Sequence, residues 1–137
     1  MNGRIKDKIA EIEQYLSELS YVLPQTFKEY QKDFIKKAAC ERYAEKIIAA
    51  IVDLAFLIIK YKKMQIPENE IEAFDILAKE NIIPGDLADR LQDAKRMRNI
   101  IAHEYGEVDD KTVFYALREE LEQDSKAFIK AVGSNLL

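Results

Sequence analysis

From Ile5 to Leu23 the apolar residues fall at Ile5, Ile9, Ile12, Leu16, Leu19 and Leu23, in alternating steps of four and three. That spacing gathers them on one stripe of an α-helix and leaves Lys, Glu and Gln for the other side. Pro24 ends the helix. A second, long helix is predicted from about Thr26 to Tyr61, with Tyr30, Phe34, Ile47, Ile51, Leu54 and Ile58 inward. Its middle is apolar nearly all round, as a central helix touched on several sides would be. A short third helix carries Ile71, Phe74 and Leu77 up to a break at Asn81 to Pro84. The fourth starts near Pro84-Gly85-Asp86, where Asp86 can cap free backbone donors, and buries Leu87, Leu91, Ala94, Met97 and Ile101. The fifth follows Asp109 or Asp110 and presents Val113, Leu117, Leu121, Phe128 and Val132. No segment alternates with period two. The pattern predicts an all-α protein: an antiparallel four-helix bundle with a short additional helix, in a single domain over residues 1–137.

Composition narrows the function classes. The 137 residues are 48% hydrophobic and 34% charged with 4 Gly and 3 Pro, which suits one compact core and leaves no linker. Cys40 and His103 are the only residues of their types, so neither an intrachain disulfide framework nor a one-chain zinc site is expected; no metal and no cofactor are called for. A net charge of −4 argues against a broad polyanion-binding face but leaves room for a small basic cleft. The apolar run Ile47 to Ile59 is interrupted by Asp53 and falls short of the roughly 20 residues a bilayer requires. The opening residues lack the apolar stretch of an export leader. A cytoplasmic protein without a membrane partner is therefore expected. No Gly-rich phosphate loop supports a nucleotide-hydrolysing or dinucleotide-binding enzyme.

Candidate chemistry concentrates in Lys95-Arg96-Met97-Arg98-Asn99-Ile100-Ile101-Ala102-His103-Glu104-Tyr105-Gly106, which holds the one imidazole. Five residues separate Arg98 from His103, so on an unbroken helix they stand about 140° apart. Either the helix loosens near Ala102 or the two meet partners from another subunit. An Arg beside a His is the minimum equipment for metal-independent cleavage of RNA. The imidazole exchanges a proton with a 2′-hydroxyl or the departing oxygen, and the guanidinium holds phosphate oxygens and offsets transition-state charge. Acid and base duties normally need two groups, and a twofold homodimer would supply the second His103. The competing reading is that Arg98, Asn99 and His103 stabilise the carbonyl end of their helix. Asp53, a carboxylate set among Ile, Val, Leu and Phe, is costly unless a cation pairs with it. It would orient Arg98 or His103, or lie on the polar edge of its helix or at a subunit contact. Arg90, Lys95 and Arg96, and separately Lys60, Lys62 and Lys63, add positive charge that guides RNA or is plain solvated surface. Cys40 reads as a small buried residue rather than a nucleophile.

The segment Arg98-Asn99-Ile100-Ile101-Ala102-His103-Glu104-Tyr105 resembles the signature of the HEPN superfamily in the His-x-Tyr form of the HepT-like toxins. The chain length, the helical pattern and the central run from Glu41 to Ala55 are similar as well. The resemblance implies a helical-bundle homodimer acting as a ribonuclease toxin, paired with a nucleotidyltransferase antitoxin. It implies Arg98 and His103 as catalytic residues, Asn99 as shaping the motif, and Tyr105 as the hydroxyl to which the antitoxin attaches AMP. The family pattern also implies a second acidic residue one turn before Asp53, where this chain has Ala49. The alternative is a non-catalytic helical module that presents a nucleotide or substrate to an associated nucleotidyltransferase, with Arg98 and His103 merely holding phosphate.

Overall fold

The computed structural model describes residues 2–103 and 108–136. Among these residues, seven α-helices run in the order α1 (Gly3–Val22), α2 (Phe27–Lys32), α3 (Phe34–Tyr61), α4 (Glu70–Lys79), α5 (Gly85–His103), α6 (Asp110–Tyr115) and α7 (Glu122–Leu136). A π-helical segment, Ala116–Leu121, joins the last two into one rod, and there is no strand among the described residues. Four rods make the bundle: α1, α3, α5 and α6–α7. Lys8 reaches Asp53 while Glu18 reaches Tyr43, so α1 and α3 are antiparallel. Gln92 bonds Asp75 while Lys95 meets Glu70, which sets α4 antiparallel to α5.

Local chemistry explains the boundaries. Side chains of Asn2, Thr26, Asp33, Asn69 and Asp109 each accept a backbone N–H in the first turn of the helix that follows. Asp86, expected as a cap, lies inside the first turn of α5 and pairs with Arg90 at 3.0 Å. At the far end of α4, Asn81 takes the left-handed conformation (φ 61°), and the Ile82 N–H bonds back to the Leu77 carbonyl at 2.9 Å. Ile82 and Ile83 are thereby turned into the core.

α3 is the axis of the molecule. Ile47, Ile48, Ile51, Val52, Leu54, Ala55, Ile58 and Ile59 are all buried and fill an arc of about 160° of the helix, while Ala49, Asp53, Phe56 and Leu57 take the other side. Each large aliphatic there contributes roughly 1.5–3 kcal/mol of transfer free energy. Only Asp53 in this run faces solvent.

The long helix expected over 26–61 is corrected by a break at Asp33 (φ −98°, ψ 89°), whose carboxylate accepts the Lys36 N–H at 3.0 Å. The break frees α2 to lay Phe27 and Tyr30 against Phe114 of α6, with ring centroids 5.9 and 5.2 Å apart. It also leaves Phe34, expected inward, 77% exposed, because the helical phase does not carry across the discontinuity. In the last rod the apolar residues step by fours from Val113 to Leu117 and Leu121, with Ser125 beyond. Each such step drifts about 40° on an ideal helix. The widened turns of the π segment take up that drift and return Phe128 and Val132 to the core.

Candidate active site

α5 is helical through to His103, yet Arg98 and His103 border one cleft of about 420 Å³. The length of the arginine side chain bridges the angular offset that five helical residues impose. α3 contributes Arg42, Lys46 and Asp53, and α1 contributes Glu11 and Tyr15. Ala49 and Ala50 line the wall between them, so the position where the family pattern implies an acid opens directly into the cleft. His103 is exposed and Arg98 half-buried.

Three cations, Arg42, Lys46 and Arg98, and three carboxylates, Glu11, Glu45 and Asp53, thus share the mouth. The Lys46 ammonium lies 5.0 Å from the Tyr15 ring centroid and 5.5 Å from that of Tyr43, which holds it over two aromatic faces. Tyr43 in turn donates its hydroxyl to Glu18 at 2.9 Å. Burial pushes the Tyr15 phenol above its usual range, with Glu11 adding to the shift, so it stays a neutral hydroxyl at the cleft wall.

Asp53 meets Lys8 at 3.5 Å, and its carboxylate is 61% exposed. Its cation is therefore on α1. It lines the same cleft as Arg98 and His103, with no ion pair to either among the described residues. Lys8 also bonds Glu11 at 3.2 Å. Desolvation works against its charge, but Glu11 and Asp53 together outweigh it and raise its pKa above that of an ordinary lysine.

Behind the cleft lies a second polar group. Lys95 is only 6% exposed; its ammonium donates to Asn99 Oδ1 at 2.8 Å and stands 3.4 Å from Glu70 Oε1. The same Glu70 oxygen lies 3.7 Å from Arg98 Nη2. The i, i+4 spacing of Lys95 and Asn99 is legible in the sequence. Glu70, 28 residues before Arg98 on another helix, carries no local signal that would single it out.

Elsewhere, Cys40 is buried and its thiol is pushed up to about 11 by desolvation, which leaves it inert. Among the described residues no group of His, Cys, Asp and Glu is arranged to hold a metal ion. Nor is any helix there long and apolar enough to cross a membrane. Tyr105 lies outside the described residues.

Comparison with known proteins follows the same lines. The mRNA nuclease HepT of Shewanella oneidensis is 27% identical over 132 residues, spanning 96% of this chain and 98% of that protein. The tRNA nuclease HepT of Aphanizomenon flos-aquae is 26% identical over 133 residues, spanning 97% and 90%. Among solved structures, a tri-AMPylated Shewanella oneidensis HEPN toxin in complex with MNT antitoxin superposes with a TM-score of 0.91 at 27% identity, covering 98% of this chain and 100% of that one. The sequence profile of the family described as "Ribonuclease HepT-like" matches residues 5–132. With a profile match over nearly its full length and the family's helical architecture around Arg98 and His103, this chain belongs to the ribonuclease HepT-like family.

Proposed function

We propose that this protein is the toxin of a toxin–antitoxin pair, a cytoplasmic endoribonuclease of one helical domain that cleaves RNA by metal-independent acid–base chemistry. The observation that carries the reading is the convergence of Arg98 and His103 on one cleft in a chain that matches a ribonuclease family over residues 5–132. Arg98 holds the scissile phosphate through charged N–H donors. His103 takes the proton of the neighbouring 2′-hydroxyl as that oxygen attacks phosphorus, and the P–O5′ bond breaks to leave a 2′,3′-cyclic phosphate. The departing 5′-oxygen needs a proton. A homodimer that brings a second His103 to the shared cleft supplies it. Asn99 shapes the motif, and Asp53, held by Lys8, supports it by moderating the charge at the cleft mouth.

A nucleotidyltransferase antitoxin restrains the activity by attaching AMP to Tyr105. A phosphodiester and nucleoside added two residues beyond His103 place negative charge and bulk where the RNA phosphate must enter. Support comes from the relative solved as a tri-AMPylated HEPN toxin with its MNT antitoxin.

The test is incubation of RNA with purified protein in excess EDTA. Cleavage persists in the parent protein, falls about 10²–10⁴-fold in His103→Ala and about 10²–10³-fold in Arg98→Ala, and leaves cyclic-phosphate ends. Tyr105→Phe cleaves RNA but escapes modification by the antitoxin. Binding of RNA without cleavage in the parent protein would select the non-catalytic module instead.

A further inference from the structure

We propose that Glu70 and Lys95 are positioning residues that set where the Arg98 guanidinium stands and how much of its charge reaches the substrate. The inference rests on the reading of Arg98 as the phosphate-holding group. Lys95, Arg98 and Asn99 are at i, i+3 and i+4 on α5 and form one continuous face. Glu70, in the first turn of α4, faces that stripe with a single oxygen shared between Lys95 Nζ at 3.4 Å and Arg98 Nη2 at 3.7 Å.

Stability does not explain the arrangement. A lysine that is 6% exposed must be paired to be tolerated, and an apolar side chain of similar volume would commonly serve folding as well or better. The geometry has a different use. At 3.7 Å the Glu70–Arg98 contact is an ion pair but too long for a good hydrogen bond. It therefore fixes the guanidinium electrostatically while leaving its donors unspent for phosphate. A carboxylate so close to Arg98 would by itself cancel the charge that the phosphate needs. Lys95 offsets it: two cations around one carboxylate leave a net positive charge, and the bond from Lys95 to Asn99 locks the neighbouring residue of the motif.

This assigns opposite kinetic signatures to the two residues. Glu70→Gln frees the guanidinium without adding negative charge, so kcat falls about ten-fold while KM stays level or drops, a loss of the size that small misplacements of a reacting group produce. Lys95→Met keeps the packing but leaves Glu70 to pair with Arg98 alone, so KM for RNA rises several-fold. Both variants are assayed on RNA in EDTA beside Arg98→Ala, with thermal unfolding of each. If the two residues serve folding only, Tm drops but kcat and KM per folded molecule match the parent, and the proposal is overturned. The same pattern of change in both variants, or no change in either, overturns it equally. Full activity in Arg98→Ala would instead strike the underlying reading of Arg98, an outcome separate from the behaviour of Glu70 and Lys95.

Discussion

A residue's sequence neighbours and its spatial neighbours are different sets, and Asp53 shows how far they diverge. Along the chain it is embedded in an apolar run, which suggests a buried carboxylate in search of a cation. In the fold it lies on the solvent-facing side of α3 and pairs with Lys8. Arg98 and His103 stand out as candidates because the chain has one imidazole and because the segment around it resembles a family signature; spacing alone favours helix capping equally well. Their shared cleft was not legible, because a helical wheel records Cα azimuths and not the reach of a guanidinium. Glu70 was beyond reach, since an ion pair between helices depends on packing that no local pattern encodes. At Asp53 the exposed pair predicts that Asp53→Asn changes folding stability by less than about 1 kcal/mol, measurable by urea denaturation. The same variant removes one negative charge from the cleft, so KM for RNA falls. A kcat loss as large as that of His103→Ala would instead mean that Asp53 orients the catalytic pair directly.

Elements end where side-chain capping and core demand agree, and here the two were unequally readable. The caps at Asn69 and Asp109 and the left-handed Asn81 stand at boundaries that apolar periodicity marks independently. Asp33 caps just as well, but Tyr30 and Phe34 sit in helical phase across it, and the periodicity conceals the break. The reason for the break is tertiary, the docking of Phe27 and Tyr30 on Phe114. The start of α6 is fixed to α3 at the same place by Lys37 and Asp110, 2.6 Å apart. Glu41, one turn along α3, borders this junction. Burial raises its pKa, Asp110 and Glu45 raise it further, and Lys37 opposes them. The folded state therefore binds this proton more tightly than the unfolded chain does. Stability is lost as pH rises from the ordinary carboxyl value of 4.5 through the higher folded one. Glu41→Gln should accordingly raise Tm at pH 7, and the gain should disappear at about pH 4, where the parent carboxyl is itself protonated in both states. Thermal melts of the two proteins across that range decide it; an unchanged or lower Tm at pH 7 would contradict the assignment.

At the scale of the whole molecule, a chain of net charge −4 has to attract a polyanion. It can do so only locally, because the charges that repel RNA are spread over a surface on which potentials between exposed groups fade within about 10 Å at ordinary salt. Arg42, Lys46 and Arg98 are gathered at one cleft where phosphate approaches within contact distance. The number of cations engaged, and not the overall charge, sets the salt dependence of binding. For single-stranded RNA each neutralised phosphate contributes about −0.7 to the slope of log K against log salt. Three cleft cations from one protomer therefore give a slope of about −2, and two protomers sharing the cleft give about −4 by the same relation. Fluorescence anisotropy of labelled RNA with the His103→Ala protein, titrated at several salt concentrations, reads this directly. A slope close to −4 supports the twofold cleft that the two-imidazole mechanism needs, and one close to −2 leaves each protomer binding alone. A slope clearly steeper than about −4 would mean that RNA spreads over the lysines outside the cleft. In that case the confinement of binding to the surroundings of Arg98 and His103 would be lost, and with it the link between the site's geometry and its substrate.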